Sequence, residues 1–586
     1  MAHRIGAWWL ILGLIAVPNR ASAACKLSRY VDIPVTMAGP RPVVTAQING
    51  RDARFILDSG AFFSTISAAT AQEYGLKIES LGNARLQGIG GDTSLSVTTA
   101  KELRLAGVPI PKIEFAVGGS DTGFAGLLGQ NILGLADAEY DLPHGFVRLM
   151  KNEGCRNGQL AYWAGAKPFT VVPILPMGQG QRHTIGTILI DGKKIKAVFD
   201  TGAVGSMLTL DAAKRLGKAP GSADVETTGF AYGLGTKRVR AWRTRFATID
   251  IGGELISKPW VKIADYALDG SDMLIGVDFF RTHRIYVDNQ NHRMFITYEG
   301  GPLFGLDPKG AVDETGARLD LTDKSSEPTD AAGYSRRGGV FASNGKLEEA
   351  LADFDKAVTM APDEARYLIQ RGEARLRNRQ LLLGAADIDK AIQLAPQDGD
   401  ARIVRAQLRL STRDPAGALS DLKAADAALA QSSDARLRLA SMYNSADDPT
   451  NAVPNYDKWL QAHREDSNRA TAFNGRCWAR ALLNQELDKA LSDCNAALKL
   501  HPGEANILDS RALVYLRGGA LDKALSDYNA ALKVQPRNAW SLYARSIAER
   551  RSGNIAAANA DRAAAIAINP RIAERAKRYG LDSSMQ

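Results

Sequence analysis

Phe55-Ile56-Leu57-Asp58-Ser59-Gly60-Ala61 returns later in the same chain as Ala197-Val198-Phe199-Asp200-Thr201-Gly202-Ala203. Each phrase is an apolar, strand-like run that delivers an Asp into a Ser/Thr-Gly turn. The text around the two also repeats. Ile48-Asn49-Gly50-Arg51 leads into the first Asp and Ile190-Asp191-Gly192-Lys193 into the second. Downstream, Gly126-Leu127-Leu128-Gly129-Gln130 answers Met273-Leu274-Ile275-Gly276-Val277, and strand-like Phe146-Val147-Arg148-Leu149 and Met294-Phe295-Ile296-Thr297 close the two halves. The segment is therefore internally duplicated, with one carboxylate held in each copy.

An apolar strand, Asp-Ser/Thr-Gly-Ala, a glycine-bearing hairpin, then two apolar residues and Gly form one pattern, and both halves carry all of it. On these motifs the region from about residue 30 to 300 resembles two retropepsin-like aspartic protease lobes in tandem. The resemblance implies an all-β, pseudo-twofold protease with lobes over 24–155 and 168–301. It implies that Asp58 and Asp200 are catalytic, that Ser59 and Thr201 brace the two loops, and that Gly60 and Gly202 permit the tight turns. Two carboxylates in hydrogen-bond contact cannot both ionise cheaply, so they share a proton. The ionised member then activates water while the protonated one polarises the scissile carbonyl. Such a titration belongs to the pair, and no proton is assigned to either Asp. Flap candidates are Gly88, Ile89 and Gly90 in one half and Tyr232 and Gly233 in the other, where glycine suits a mobile hairpin; ordinary hairpin turns are the alternative. Asp121-Thr122-Gly123 follows no apolar strand and reads as a loop. The competing view of the whole region is a degenerate, noncatalytic pair of lobes.

The chain has 586 residues, 45% apolar and 23% charged, which fits three or four globular domains without extensive disorder. Its formal charge of +9 accompanies no dense basic run, so no nucleic-acid partner is expected. Arg4, the apolar stretch Ile5–Val17 and Ala21-Ser22-Ala23 read as a cleaved signal peptide over residues 1–23, too short for a comfortable membrane span. The mature protein is expected to be exported, to the periplasm, without a stable membrane span. Cys25 admits a lipid-anchored alternative, against which Ser22 stands where a lipobox takes Leu. Cys25 and Cys155 bracket the first half, and either pair or remain thiols. No CxxC or HExxH motif occurs, so neither metal nor cofactor is expected.

Pro362 and Pro396 lie 34 residues apart, as do Pro502, Pro536 and Pro570. That period, with Leu508, Ala512, Tyr515, Ala524, Tyr528, Ala531 and Pro536 at matching positions, resembles tetratricopeptide repeats. Seven helix pairs are expected over 331–570, starting at 331, 365, 399, 433, 471, 505 and 539. A capping helix and tail follow over 571–586, and residues 302–330 form the linker. One irregular step places a four-residue insertion near His463–Thr471. Arg337, Arg371, Arg405, Arg511 and Arg545 each precede an Asp by 16 residues: Asp353, Asp387, Asp421, Asp527 and Asp561. This suggests an Arg–Asp bridge inside each repeat, with independent surface charges as the alternative. The fourth repeat has Leu439 and Asn455 instead, and in the fifth Cys477 takes the Arg position while Asp493 stays. Cys477 and Cys494 either form a disulfide or pack as two buried thiols.

The reading is an exported aspartic endopeptidase acting on protein or peptide, with a repeat array that recruits substrate or a protein partner. A noncatalytic peptide-binding scaffold is the alternative, and cleavage restricted to its own chain or a tethered partner is a third.

Overall fold

Both Asp phrases are strand ends held by a parallel neighbour. In the computed structural model, Arg51–Leu57 runs parallel to Gly126–Leu128, with Phe55 opposite Gly126 and Leu57 opposite Leu128. Lys193–Phe199 runs parallel to Met273–Ile275 in the same register, Ala197 opposite Met273 and Phe199 opposite Ile275. The described residues are 25–88, 91–118, 124–156, 158–165, 167–176, 183–231, 239–268, 270–306, 327–464 and 466–581. Alternation explains the strands: in Arg51–Leu57 and Lys193–Phe199 the solvent-facing residues are charged, and the last three positions are all buried. Lobe 1 is an eight-stranded sheet and lobe 2 a nine-stranded one. Their cores merge around Phe55, Phe115, Phe199 and Phe279.

A six-stranded sheet joins the lobes. Its order is Lys26–Pro34, Phe146–Glu153, Asp137–Asp141, His283–Asp288, Arg293–Tyr298 and Thr170–Pro173. The order is a palindrome: each lobe contributes three strands, with the closing pair innermost. At the seam Glu139 lies opposite Tyr286 and Tyr140 opposite Ile285. A disulfide between Cys25 and Cys155 ties the outer strand to the end of its neighbour. Leu303 and Phe304 are buried, and the Trp260 amide donates to the Phe304 carbonyl. The body of lobe 2 therefore runs to Leu306, past the expected start of the linker, whose residues 307–326 lie outside the described set.

The second half is an all-helical array of seven antiparallel pairs, from Ala331–Ser343 with Leu347–Met360 to Ala539–Arg551 with Ile555–Ile568, followed by Ile572–Arg578. Asp330 caps the first helix through the Gly333 amide at 2.7 Å. All five Arg–Asp pairs at 16-residue spacing are bidentate, from Arg337 on Asp353 at 2.7 and 2.8 Å to Arg511 on Asp527 at 2.7 and 2.9 Å. The same arginines also reach back one repeat, Arg371 to Asp355 at 2.9 Å and Arg405 to Asp389 at 2.8 Å. The fifth repeat keeps the bridge by a different residue. Arg476 holds Asp493 at 2.8 and 2.5 Å, while Cys477 turns inward to a disulfide with Cys494. The reason is local: its first helix, Arg469–Leu483, is 15 residues long and begins two residues before the period places it. In the fourth repeat Asn455 accepts from buried Arg436 and donates to Asp426 of the preceding repeat at 2.9 Å.

The array packs on lobe 1. Helix Ala331–Ser343 lies against strand Thr36–Ala38, and the Arg336 guanidinium sits 4.5 Å over the Phe146 ring. Arg281 of lobe 2 donates to the Ser343 carbonyl at 2.7 Å, and Ser432 donates to the Glu73 carboxylate at 3.3 Å. Beneath the first four repeats a cavity of about 500 Å³ opens between Met37, Gly39 and the inner helices.

Candidate active site

Asp58 and Asp200 meet at the junction of the lobes, each delivered by its parallel strand pair. The Asp58 amide donates to the Leu128 carbonyl at 2.9 Å and the Asp200 amide to the Ile275 carbonyl at 2.8 Å. Between the loops runs a reciprocal brace. The Ser59 hydroxyl donates to the Phe199 carbonyl at 2.9 Å and the Thr201 hydroxyl to the Leu57 carbonyl at 2.8 Å. Each hydroxyl oxygen also accepts the amide of the other residue, both at 2.9 Å. Ser59 and Thr201 are buried, so breaking either bond would orphan a desolvated group.

The glycines have a sharper role than freeing a turn. A Cβ on Gly60 would lie 2.2 Å from the Asp200 carboxyl carbon, and one on Gly202 would lie 2.3 Å from that of Asp58. Neither glycine has a positive φ. The need for glycine is therefore the close approach of the opposite carboxylate, not backbone conformation. Gly129 and Gly276 face the same constraint, with Cβ positions 2.8 Å from the Ala61 and Ala203 carbonyl oxygens respectively.

The two carboxyls hydrogen-bond each other. Burial, then the facing Asp200 carboxylate, pushes Asp58 well above the ordinary carboxylate range. Burial also pushes Asp200 up, opposed by its bond to Asp58 and by the Gly202 and Ala203 amides. The pair therefore retains one proton at pH values where isolated carboxylates are ionised.

Several supporting groups carry no obvious mark in the sequence. Ser64 donates to Asn131 at 2.8 Å and accepts the Gly129 amide at 3.0 Å. Ser206 makes the same contacts with Asp278 and the Gly276 amide at 2.8 and 3.0 Å. Both serines lie six residues past their Asp, a match that comparing the two halves exposes. Gln130 donates to the Ser59 carbonyl at 2.8 Å. Tyr140, fully buried beside Ser59 and Gln130, has its phenol pushed up by burial. His183 lies in the field of Asp200, and burial holds its imidazole below the usual value, hence neutral.

Of the flap candidates, Gly88 pairs with Gly91 at the end of the hairpin formed by Ile78–Gly88 and Gly91–Leu105. Ile89, Gly90, Tyr232 and Gly233, like Asp121-Thr122-Gly123, lie outside the described residues. The segment expected as a signal peptide lies there too.

Residues 44–132 match an aspartyl protease family model. Residues 186–282 match a gag-polyprotein aspartyl protease model, and residues 336–399 match a tetratricopeptide repeat model. No curated protein matches the chain. Three solved structures are similar to part of the chain. YrrB, described as a tetratricopeptide repeat protein with an unusual peptide-binding site, is 21% identical over 33% of this chain and 97% of its own, at a TM-score of 0.29. PilW, a type IV pilus biogenesis factor, is 16% identical over 38% and 96%, at 0.30. A tetratricopeptide repeat protein from Parabacteroides merdae is 16% identical over 44% and 99%, at 0.33. The chain thus carries two aspartyl protease domains, paired about one Asp58–Asp200 dyad, followed by a tetratricopeptide-repeat array.

Proposed function

We propose that this protein is an exported aspartic endopeptidase, acting in the periplasm, in which Asp58 and Asp200 hydrolyse a peptide bond through an activated water. The observation that carries the reading is the reciprocal Ser59–Thr201 brace, which holds Asp58 and Asp200 face to face at the junction of the lobes. In the proposed cycle the ionised carboxylate takes a proton from water as the oxygen attacks the scissile carbonyl. The protonated partner gives its proton to the carbonyl oxygen. The tetrahedral gem-diol then collapses: the leaving nitrogen takes a proton from one carboxyl as its bond to carbon breaks, and the other carboxylate takes a proton from a diol hydroxyl, so the dyad ends with one proton. Export is supported by the N-terminal apolar segment ending at Ala21-Ser22-Ala23, and by pairing of all four cysteines, which suits an oxidising compartment. The array, a repeat type that mediates protein–protein contacts, is assigned the recruitment of substrate or a protein partner. Among the described residues no helix is long and apolar enough to cross a membrane.

The test is cleavage of a diverse peptide library by the mature chain from acidic to neutral pH, beside Asp58→Asn and Asp200→Asn. Each variant should lose activity by about 10²–10⁴-fold, the scale of acid–base catalysis. A folded wild type that cleaves nothing but retains peptides would instead establish a peptide-binding scaffold.

A further inference from the structure

The irregular step in the repeat period has a structural destination. Between helices Pro449–Ala462 and Arg469–Leu483 the inserted segment faces lobe 1. Ala462, His463, Arg464 and Asp466 enclose, with Ile78, Ser94, Ser96 and the turn at Ser67, a cavity of about 200 Å³. Ile78, Ser94 and Ser96 belong to the hairpin whose tip is Gly88–Gly91, the place of the candidate flap, and Ser67 caps the helix Ala68–Glu73.

The cavity falls where that hairpin bends. Ser96 pairs with Ser80 and Ser94 with Arg85, so four residues, Leu81–Ala84, bulge opposite Leu95 alone. Within the bulge Gly82 takes the left-handed conformation, φ +65°. A bulge of this kind concentrates twist and bending at one point of a ladder. The segment faces the continuous strand across this cavity on both sides of that point, at Ser94 and Ser96. Gly91, the last paired residue, lies three residues beyond Ser94, ~10 Å of strand. Opposite charges also face each other here, against the cost of burying Arg41. Arg41, at the start of a neighbouring lobe-1 strand, lies in the fields of Asp434, which opens the fourth repeat's first helix, and of Asp466 in the insertion. The lobe-2 hairpin, Val225–Ala231 with Val239–Arg245, differs. Its register slips between Thr227 and Gly229, one residue being extra, and repeat residues line neither cavity with it.

We propose that the insertion between the fourth and fifth repeats is a strut on the bend of the lobe-1 flap, so that the array sets how that flap closes on substrate. Ser94, Ser96, Arg41, Asp434 and Asp466 are then positioning residues, and a partner seated on the array gains leverage over substrate affinity. The proposal rests on the endopeptidase reading for its kinetic consequence, not for its mechanical one.

The test uses the full-length chain with Asp434→Ala and Asp466→Ala combined, read by hydrogen exchange and by cleavage of a peptide substrate. Exchange across 78–105 should quicken about threefold or more, with 225–245 unchanged. KM should rise about fivefold with kcat within twofold, since binding and not chemistry is disturbed. Glu at both positions should restore the wild-type pattern. Because the double variant also loses the Asp466 contact to the Asn468 amide, Ser96→Asp provides a second route: it leaves the array intact and sets a carboxylate against Asp466, with the same changes expected. Unaltered exchange at 78–105 in a folded variant, or equal loosening of both hairpins, would overturn the strut. Faster exchange with an unchanged KM would overturn its control of affinity. A wild type that fails to cleave defeats the endopeptidase reading alone, and the exchange comparison still decides the strut.

Discussion

The two lobes agree wherever they touch the dyad and differ wherever they touch something else. Ser59 and Thr201 exchange the same bonds, Ser64 and Ser206 hold the same glycine amides, and Gly60 and Gly202 make room for opposite carboxylates. One shell further out the symmetry lapses. Gln130 supports the Ser59 loop, whereas Val277 stands at the matching place in lobe 2. Arg41 of lobe 1 faces carboxylates of the array, while its counterpart in the duplication, His183, faces Asp200. A shared proton demands equivalent loops, but nothing demands equivalent surroundings. Once both halves are in one chain, each can adapt to its own neighbours.

The largest effect should come from the most symmetric position. Gly60→Ala and Gly202→Ala should each cut cleavage ~10²-fold or more, because a displaced carboxylate loses its reacting geometry. The comparison breaks if one is tolerated and the other is not. Rates with a common peptide, with folding checked by circular dichroism, decide it.

The seam of the central sheet gives the next effect, in stability. Fully buried Glu139 accepts from Arg148 at 2.6 Å, from Arg284 at 2.7 and 2.9 Å, and from Tyr162 at 2.6 Å. Opposite stands Tyr286, whose hydroxyl donates to Asp137 at 3.0 Å. Glu139→Ala takes one carboxylate from two largely buried guanidinium groups, leaving them Asp141, and should cost about 3 kcal/mol in denaturant unfolding. Tyr286→Phe should cost only about 1 kcal/mol.

A pH dependence should separate the lobes as well. In lobe 1 His144 meets Asp141; in lobe 2 the corresponding pair is Asn291 and Asp288, at 2.9 and 3.0 Å. Burial opposes the charge on His144, but the bond to Asp141 and its charge win and raise the imidazole above its usual value. A raised imidazole stabilises the fold below about pH 6.5, its unfolded value, and that contribution is lost as pH rises through the folded value. His144→Asn should therefore lower the unfolding midpoint below pH 6.5 and converge on wild type at alkaline pH. Asn291→Ala should show no such pH profile.

The smallest effect should follow Gln130→Val, which makes lobe 1 resemble lobe 2. One bond is lost, worth about 1 kcal/mol, so cleavage should fall no more than severalfold. A larger loss would show that the lobes divide the work at the dyad unequally.

What can be read from residues alone follows from what repeats. Asp58 and Asp200, the glycine-ended strands and the 34-residue period are visible because each occurs at least twice in register. The Arg–Asp spacing is visible for the same reason. Arg476 is not, because the insertion lengthens its helix and moves the bridging position by one residue. Glu139 is hidden too: a charged residue in a strand reads as solvent-facing, and only the meeting of Arg148 and Arg284 from different lobes explains its burial. The reason for Gly60 is Asp200 and the reason for Gly202 is Asp58, each in the other half of the duplication and outside any local pattern. The docking of the array on lobe 1 rests on scattered side chains, such as Arg336 over Phe146, with no period to betray them.

The palindromic order of the central sheet sets a timetable. A chain synthesised from its N-terminus exposes Asp58 long before Asp200 exists, and the seam waits for His283–Asp288 to lie against Asp137–Asp141. Closing contacts so distant along the chain are late events in folding. Until then the nascent protein holds half a dyad, without the facing carboxyl that a shared proton requires. The Asp58–Asp200 pair is completed only with the last strands of lobe 2, while the array that leans on lobe 1 is still to come.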